Sequence, residues 1–176
     1  MTARVSMSVD SVTVKTADLS ADGVYRYALT RQWAREKPTV AFIMLNPSTA
    51  DGLVDDPTIR RCLGFAHDWG FGTLRVVNLF ALRATDPREL SIHADPIGVE
   101  NARHVCRAVI ESMQVVCAWG AHPMAAKSAI GPLIRRVAQE QGISLTCLGT
   151  TASGAPRHPL YLPNATATQR FLWPPA

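Results

Sequence analysis

The chain has 176 residues, which is enough for one domain with a sizeable core and too few for two ordinary domains. Hydrophobic residues make up 47% of the chain and charged residues 18%, a globular composition that is too apolar for a disordered protein. The formal net charge of +4 favours a polyanionic partner such as nucleic acid only modestly. No apolar run approaches the ~20 residues needed to span a bilayer, and residues 1–15 lack the apolar segment of a secretory signal. We therefore expect one domain over residues 1–176, located in the cytoplasm and without a membrane partner.

The first part of the chain predicts an arm, two strands and a helix. Residues 1–23 are assigned to an N-terminal arm, and the alternating stretch at 24–33 predicts a strand. Residues 39–45 form a continuous apolar and β-branched run, as expected for a strand covered on both faces. Asp56 followed by Pro57 is typical of a helix start. The apolar residues of this helix recur at helical spacing until glycines end it: Ile59, Leu63, Ala66 and Gly70.

The middle of the chain predicts a strand, a helix and a second strand. The strands are residues 73–80 and 114–120, both apolar and rich in β-branched residues. The helix between them covers residues 98–113. Its expected apolar stripe consists of Val99, Ala102, Cys106, Val109 and Met113.

The last part predicts a helix over residues 123–140 with a kink at Gly131–Pro132, then a strand at 143–149 and a Gly/Pro-rich tail. Strands that alternate with helices are typical of a mainly parallel sheet with helices on both faces. The predicted fold class is therefore α/β, a three-layer αβα sandwich with a mainly parallel central sheet, formed by residues 24–176.

The four cysteines show no metal-binding pattern. They are Cys62, Cys106, Cys117 and Cys147. Each lies in an apolar stretch and no C-x-x-C pair is present, which favours buried thiols. We expect neither a metal nor a cofactor.

Polar clusters follow the predicted strands. They are "NPSTAD" from Asn46, "NLFALRATDP" from Asn78, "WGAHPMAAK" from Trp119 and "GTTASGAPRHP" from Gly149. In open α/β sheets, ligands bind beyond the carboxyl ends of the strands, so these clusters predict a single site. Neither a Walker A nor a G-x-G-x-x-G motif is present, which disfavours the common phosphate-loop and dinucleotide folds.

Four stretches, in this order, resemble motifs of the uracil-DNA glycosylase superfamily: "MLNPST", "VVNLF", "VVCAWGAHPMAAKSAI" and "RHPLYLP". The resemblance covers about residues 40–163 and implies a uracil-DNA-glycosylase-like fold. The chain also resembles, almost word for word in "LNPSTAD", "DDPTIRR" and "NLFALRATDP", an uncharacterised bacterial family known as domain of unknown function 1643.

The glycosylase resemblance implies a role for each motif residue. Asn46 would hold the attacking water and His158 would stabilise the departing base, so these two are the expected catalytic residues. Asn78 would read the base edge, because an amide offers both a donor and an acceptor. Pro47 and Ser48 would complete the base-binding loop. Uracil-specific enzymes have a bulky aromatic where Ser48 stands, so the small residue favours 5-substituted pyrimidines.

A neutral amide at Asn46 cannot take a proton from water as a carboxylate can, which predicts slow catalysis. Three aspartates follow the first motif and could supply the carboxylate: Asp51, Asp55 and Asp56. Asp56 is better explained as the helix cap.

Leu160 and Leu162 correspond by resemblance to the residue that wedges into duplex DNA. The expected partner is therefore nucleic acid, with single-stranded or mismatched DNA favoured because its bases are easier to flip, or else a nucleotide-like ligand.

Four charged residues fall outside the glycosylase motifs. Arg83 could clamp a phosphate or ligand while Asp86 holds it, or Asp86 could cap a helix and merely pair with Arg83. Arg60 and Arg61 could contact phosphate, although a solvated helix face explains them better.

The leading hypothesis is an enzyme that hydrolyses the N-glycosidic bond of uracil or a modified base in DNA or a nucleotide. One alternative is a non-catalytic module that binds a nucleobase or modified nucleotide. Another is a different hydrolase or transferase that acts on nucleotide-like small molecules through Asp86 and Arg83.

Overall fold

The computed structural model describes residues 14–48 and 54–173. Its seven strands are β1 Val14–Leu19, β2 Arg26–Gln32, β3 Thr39–Met44, β4 Thr73–Asn78, β5 Gln114–Cys117, β6 Leu145–Cys147 and β7 Gln169–Arg170. Its four α-helices are α1 Pro57–Asp68, α2 Glu89–Ile92, α3 Asn101–Glu111 and α4 Ile130–Glu140. In the same described ranges, 3₁₀ helices cover Pro123–Lys127 and Pro159–Tyr161.

The described strands form one mixed sheet in the order β1-β2-β4-β3-β5-β6-β7. The four strands predicted from continuous apolar runs, β3, β4, β5 and β6, are parallel to their neighbours in this set. The pairs β1–β2, β2–β4 and β6–β7 are antiparallel, so the sheet is not mainly parallel as expected. The protein is thus α/β with a parallel centre and antiparallel edges.

Part of the segment assigned to an N-terminal arm, residues 1–23, is a strand, β1. Residues 14–19 form an edge strand, joined to β2 by a tight turn around Gly23. The side chains of this strand are mostly exposed, because an edge strand has one neighbour and little cover. Its apolar periodicity is therefore faint. Residues 1–13 lie outside the described part of the chain.

The central strands are apolar on both faces because helices cover both. Successive residues of β3 enter two different buried clusters: Val40 and Phe42 pack with α1, whereas Ala41 and Ile43 pack with α3 and α4. This alternation follows from the two-residue period of a strand. It explains why residues 39–45 read as an uninterrupted apolar run.

The buried face of α3 differs from the predicted stripe. Val99 precedes the helix and Met113 follows it, and their side chains are 84% and 77% exposed. The buried residues of α3 are Asn101, Val105, Ala108 and Val109. The predicted helix was too long at both ends, so its stripe was displaced.

The predicted helix over residues 123–140 is interrupted rather than kinked. A 3₁₀ helix covers Pro123–Lys127, and α4 begins at Ile130. Pro132 lies in the first turn of α4, where its missing N–H removes no intrahelical hydrogen bond. The interruption comes at Ser128, whose Oγ accepts the Ile130 N–H at 3.2 Å.

Candidate functional site

A pocket of about 230 Å³ lies where β3, β4 and β5 end, and its wall includes the polar residues expected from the strand-end clusters. Asn46 follows β3, Asn78 is the last residue of β4, and His158 comes from the C-terminal segment. The sequence predicted that these three would converge on one cleft, and they do. Parallel strands bring their carboxyl ends to the same edge, which is the physical basis of that expectation.

The Asn78 side chain is the least satisfied polar group in this pocket. It is 1% exposed, yet neither Nδ2 nor Oδ1 has a hydrogen-bond partner among the described residues. Buried amides nearly always find partners, because an unpaired one costs free energy. An amide that ends a strand and faces a pocket without protein partners is therefore available to a bound molecule.

The backbone around Asn78 is held by two side chains from the helices. Asn101 Nδ2, at the start of α3, donates to the Asn78 carbonyl oxygen at 3.1 Å. Ser128 Oγ, just before α4, donates to the Leu79 carbonyl oxygen at 3.0 Å. Asn101 and Ser128 are both buried, and they position the strand end without contacting the pocket. The sequence patterns did not single out either residue, since each lies within a predicted helix.

Asn46 presents its amide in one orientation. Its Nδ2 donates to the carbonyl oxygens of Pro47, at 3.0 Å, and Ala84, at 2.8 Å. Carbonyl oxygens only accept hydrogen bonds, so the assignment of nitrogen and oxygen is unambiguous. Oδ1 has no partner among the described residues and can accept a hydrogen bond from a water or ligand. Ser48 lines the pocket, whereas Pro47 does not; the Pro47 carbonyl oxygen accepts hydrogen bonds from Asn46 Nδ2 and from the Ala84 N–H.

His158 is a neutral hydrogen-bond donor that immediately precedes the 3₁₀ helix Pro159–Tyr161. Its Nδ1 accepts the Leu160 N–H at 3.3 Å and caps that helix. Burial lowers the pKa of His158, and the nearby Asp56 carboxylate opposes this only in part. With Nδ1 an acceptor, the ring proton resides on Nε2, so His158 can donate one hydrogen bond.

The three candidate carboxylates occupy different positions. Asp56 caps α1, where Oδ1 accepts the Ile59 N–H at 2.8 Å, and it also lines the pocket. Asp55 pairs with the buried Arg31 of β2 at 2.7 Å and so anchors the chain ahead of α1 to the sheet. Asp51 lies outside the described residues. Asp56 is therefore the one described candidate of the three on the pocket wall.

Arg26 at the start of β2 is a pocket residue that the sequence patterns did not reveal. Its side chain is 2% exposed and lines the same pocket. Charged side chains are almost never fully buried unless they are paired. An arginine within the predicted strand "VYRYALT" is therefore a feature from which the sequence could have indicated a functional residue. Its position in the pocket depends on the pairing of β2 with β4, which the sequence does not indicate.

Arg83 and Asp86 do not form the expected clamp. Asp86 accepts hydrogen bonds from the Arg88 backbone and side chain, at 2.9 and 2.7 Å, and these contacts lower its pKa. Arg83 Nη1 instead donates to the Gly23 carbonyl oxygen at 3.2 Å. The expectation that one residue holds the other is therefore wrong, because each has a nearer partner. Asp86 caps a turn before α2 rather than the helix itself.

Arg61 and Arg60 bind protein groups rather than projecting freely from α1. Arg61 donates to the Leu162 carbonyl oxygen and to Asn164 Oδ1, and Arg60 donates to the Asp55 carbonyl oxygen, just before the helix. Arg61 thereby ties the segment that carries His158 to α1.

The expected duplex wedge is corrected at Leu162. This side chain is 8% exposed and packs in the core cluster beneath α1, so it cannot enter a base stack. Leu160 is half-buried. Between them, Tyr161 is 87% exposed and is the apolar side chain that projects from this segment.

Two further observations concern the described residues. Within residues 14–48 and 54–173, no helix combines the length and apolar character needed to cross a membrane. In the same ranges, no group of three or more His, Cys, Asp or Glu side chains is arranged to hold a metal ion.

The fold and the pocket define an α/β protein with a small pocket, lined by both apolar and polar side chains, at the carboxyl ends of its parallel strands. The model of one protein family matches residues 26–160, a range that contains every pocket residue discussed above. That family is described as "Protein of unknown function (DUF1643)", and the chain belongs to it. The resemblance to domain of unknown function 1643 is thus confirmed. No curated protein matches the chain.

Proposed function

We propose that the protein binds a nucleobase in this pocket and hydrolyses the N-glycosidic bond of uracil or a modified base in DNA or a nucleotide. The observation that carries the proposal is the Asn78 amide, which is buried, faces the pocket and has no partner among the described residues. A uracil-DNA-glycosylase-like, three-layer arrangement of the fold forms part of the proposal.

Recognition of a base follows from the chemistry of the pocket wall. The donor and acceptor of one amide match the acceptor and donor of a pyrimidine edge, in the manner of bidentate base contacts. A volume of about 230 Å³ is below the range of roughly 300–1,000 Å³ that is usual for drug-sized ligands. The pocket therefore suits one base better than a whole nucleotide, and Ser48 leaves room for a substituent.

Bond cleavage would use the two other convergent groups. Asn46 Oδ1 accepts a hydrogen bond from water, which attacks the sugar carbon as the bond to the base nitrogen breaks. The bonding electron pair leaves with the base, and His158 Nε2–H donates to the base oxygen that gains charge. The proton of the water passes to the departing base. Asp56 supplies negative charge for the developing sugar cation, which the neutral Asn46 cannot provide.

The proposed substrate is a base that is already unpaired. Flipping a base from a duplex costs a few kcal/mol, least where the base is mismatched or single-stranded. Leu162 is buried, so it cannot act as the wedge that would help to open a duplex. Single-stranded or mismatched DNA is therefore favoured over fully paired DNA.

A non-catalytic base-binding module is the second candidate, and one observation favours it. The group best placed to hold water, Asn46, is a neutral amide whose nitrogen is fully engaged by the loop, so no strong base acts there. A hydrolase or transferase using Arg83 and Asp86 is less well supported, because Asp86 is engaged by Arg88.

The test is base release from oligonucleotides under single-turnover conditions, with enzyme in excess. Substrates carry uracil, 5-hydroxymethyluracil, hypoxanthine or xanthine, in single-stranded, mismatched and paired form. We expect slow formation of abasic product from unpaired uracil or a 5-substituted uracil, and no product with Asn78→Leu. Arg107→Gln, an exposed change on α3, serves as the matched control. If no substrate yields abasic product but the oligonucleotides still bind, the proposal of an enzyme fails and the non-catalytic binding module takes its place.

A further inference from the structure

A second groove, of about 610 Å³, lies next to the base pocket. It is bounded by the 3₁₀ helix Pro123–Lys127, by α4 and by the C-terminal residues up to Trp173. Trp119, which follows β5, contributes to the wall of both the pocket and the groove. A molecule held in the base pocket is therefore only one side chain away from this groove.

The floor of the groove is a packed aromatic cluster. The Trp119 ring centroid lies 5.3 Å from that of Trp173 and 5.5 Å from that of Phe171. Trp173 also lies against Gly131 of α4, where an added Cβ would come within 3.0 Å of the indole ring. The half-buried Trp173 thus presents a fixed flat surface to the groove.

The rim of the groove is cationic. Arg135 and Arg136 on α4 both line it. Among the described residues, Arg135 has no ion pair, and Arg136 has one weak contact with Glu140 at 4.0 Å. Within residues 14–48 and 54–173, no aspartate or glutamate lines the groove. An anionic ligand is therefore favoured.

We propose, resting on the function proposed above, that this groove binds the nucleotides that flank the bound base in single-stranded nucleic acid. Fixed aromatic surfaces with adjacent guanidinium groups are how proteins hold single strands: bases stack on the rings and phosphates pair with the arginines. A peptide of acidic character would satisfy the arginines but not the aromatic floor. The groove also extends recognition beyond one base, which a pocket of 230 Å³ cannot do alone.

The test measures how affinity depends on the length of the nucleic acid. Deoxyuridine monophosphate and single-stranded oligodeoxynucleotides of increasing length, each with one deoxyuridine, are titrated against the full chain. We expect affinity to rise with length for the wild type. In Arg135→Gln/Arg136→Gln this rise is lost, and the slope of log affinity against log salt falls by about 1.4 for two phosphate contacts on a single strand.

The matched control is Arg103→Gln/Arg107→Gln on α3, which removes the same charge from exposed positions on another helix. It should keep the rise with length. An oligonucleotide that retains its phosphates but lacks the flanking bases should bind at least about fivefold more weakly than its normal counterpart. Equal losses in both double variants, or full affinity without flanking bases, would overturn the groove assignment.

The two proposals fail in distinguishable ways. If Asn78→Leu binds the mononucleotide as well as the wild type does and no base is released, the proposed function fails. A length dependence that still requires Arg135 and Arg136 would then support the groove independently. If base release occurs while length has no effect, the groove assignment is overturned and the base pocket remains.

Discussion

Replacing Asn78 by leucine should weaken ligand binding without destabilising the protein. The side chain is 1% exposed and neither amide atom has a partner among the described residues. A polar group buried without a partner costs roughly 1–3 kcal/mol on the scale of protein mutations, and water in the pocket can offset part of that cost. The apolar replacement avoids the cost, and the adjacent pocket has room for its methyl groups. We expect the free energy of unfolding to equal that of the wild type or to exceed it by up to about 2 kcal/mol.

Asn101→Leu is the matched control because Asn101 is an equally buried amide with a different task. Its Nδ2 donates to the carbonyl oxygen of Asn78, which ends β4. Removing it leaves a buried acceptor unpaired, so the free energy of unfolding should fall by at least about 1–3 kcal/mol. The difference in stability between the two variants distinguishes an amide that binds a ligand from one that stabilises the fold.

Urea unfolding measures the stability difference, and calorimetric titration with uracil and deoxyuridine monophosphate measures affinity. Loss of the bidentate contact should weaken binding by about 1–3 kcal/mol, or roughly five- to 150-fold. If Asn78→Leu loses as much stability as Asn101→Leu, Asn78 is structural. Unchanged affinity in a folded Asn78→Leu variant would also refute the reasoning.

Three further predictions follow from the contacts around the pocket. Burial lowers the pKa of His158, so the free energy of unfolding should be constant above about pH 6.5 and fall below it, because the unfolded chain takes up a proton there first. His158→Asn, which can still cap the 3₁₀ helix, should flatten this pH profile of stability; a profile that still falls would assign the titration to another group. Asn46→Asp should lower the free energy of unfolding at pH 7 by about 1–3 kcal/mol, since a carboxylate would face two carbonyl oxygens, and urea curves that coincide with the wild type would contradict this. Arg61→Ala should speed hydrogen exchange in residues 158–164, which it ties to α1 through Leu162, and unchanged exchange would show that the tie is dispensable.

The centre of the sheet could be predicted because its strands carry the strongest pattern. β3 and β4 are apolar on both faces, and burial on both faces is what a continuous apolar run indicates. β1 was missed because an edge strand buries little and leaves no such run. β7 has two residues, too few for any periodicity. The antiparallel edges depend on pairings between strands, which no local pattern reports.

The pocket could be predicted in part for the same reason. Asn46 and Asn78 follow buried strands, and the ends of parallel strands meet at one edge. Arg26 could not be placed there, since its position depends on β2 lying antiparallel beside β4. The Arg83–Asp86 pair was wrong because Arg88, two residues from Asp86, competes at shorter range.

The most direct test of the account is the structure of the protein crystallised with uracil at millimolar concentration. The account predicts the base in the pocket, with Asn78 Nδ2 and Oδ1 each within about 2.7–3.2 Å of a polar atom on its edge. His158 Nε2 should lie at a similar distance from a base oxygen. A base bound elsewhere, or a base in the pocket whose polar edge faces away from Asn78, would contradict it.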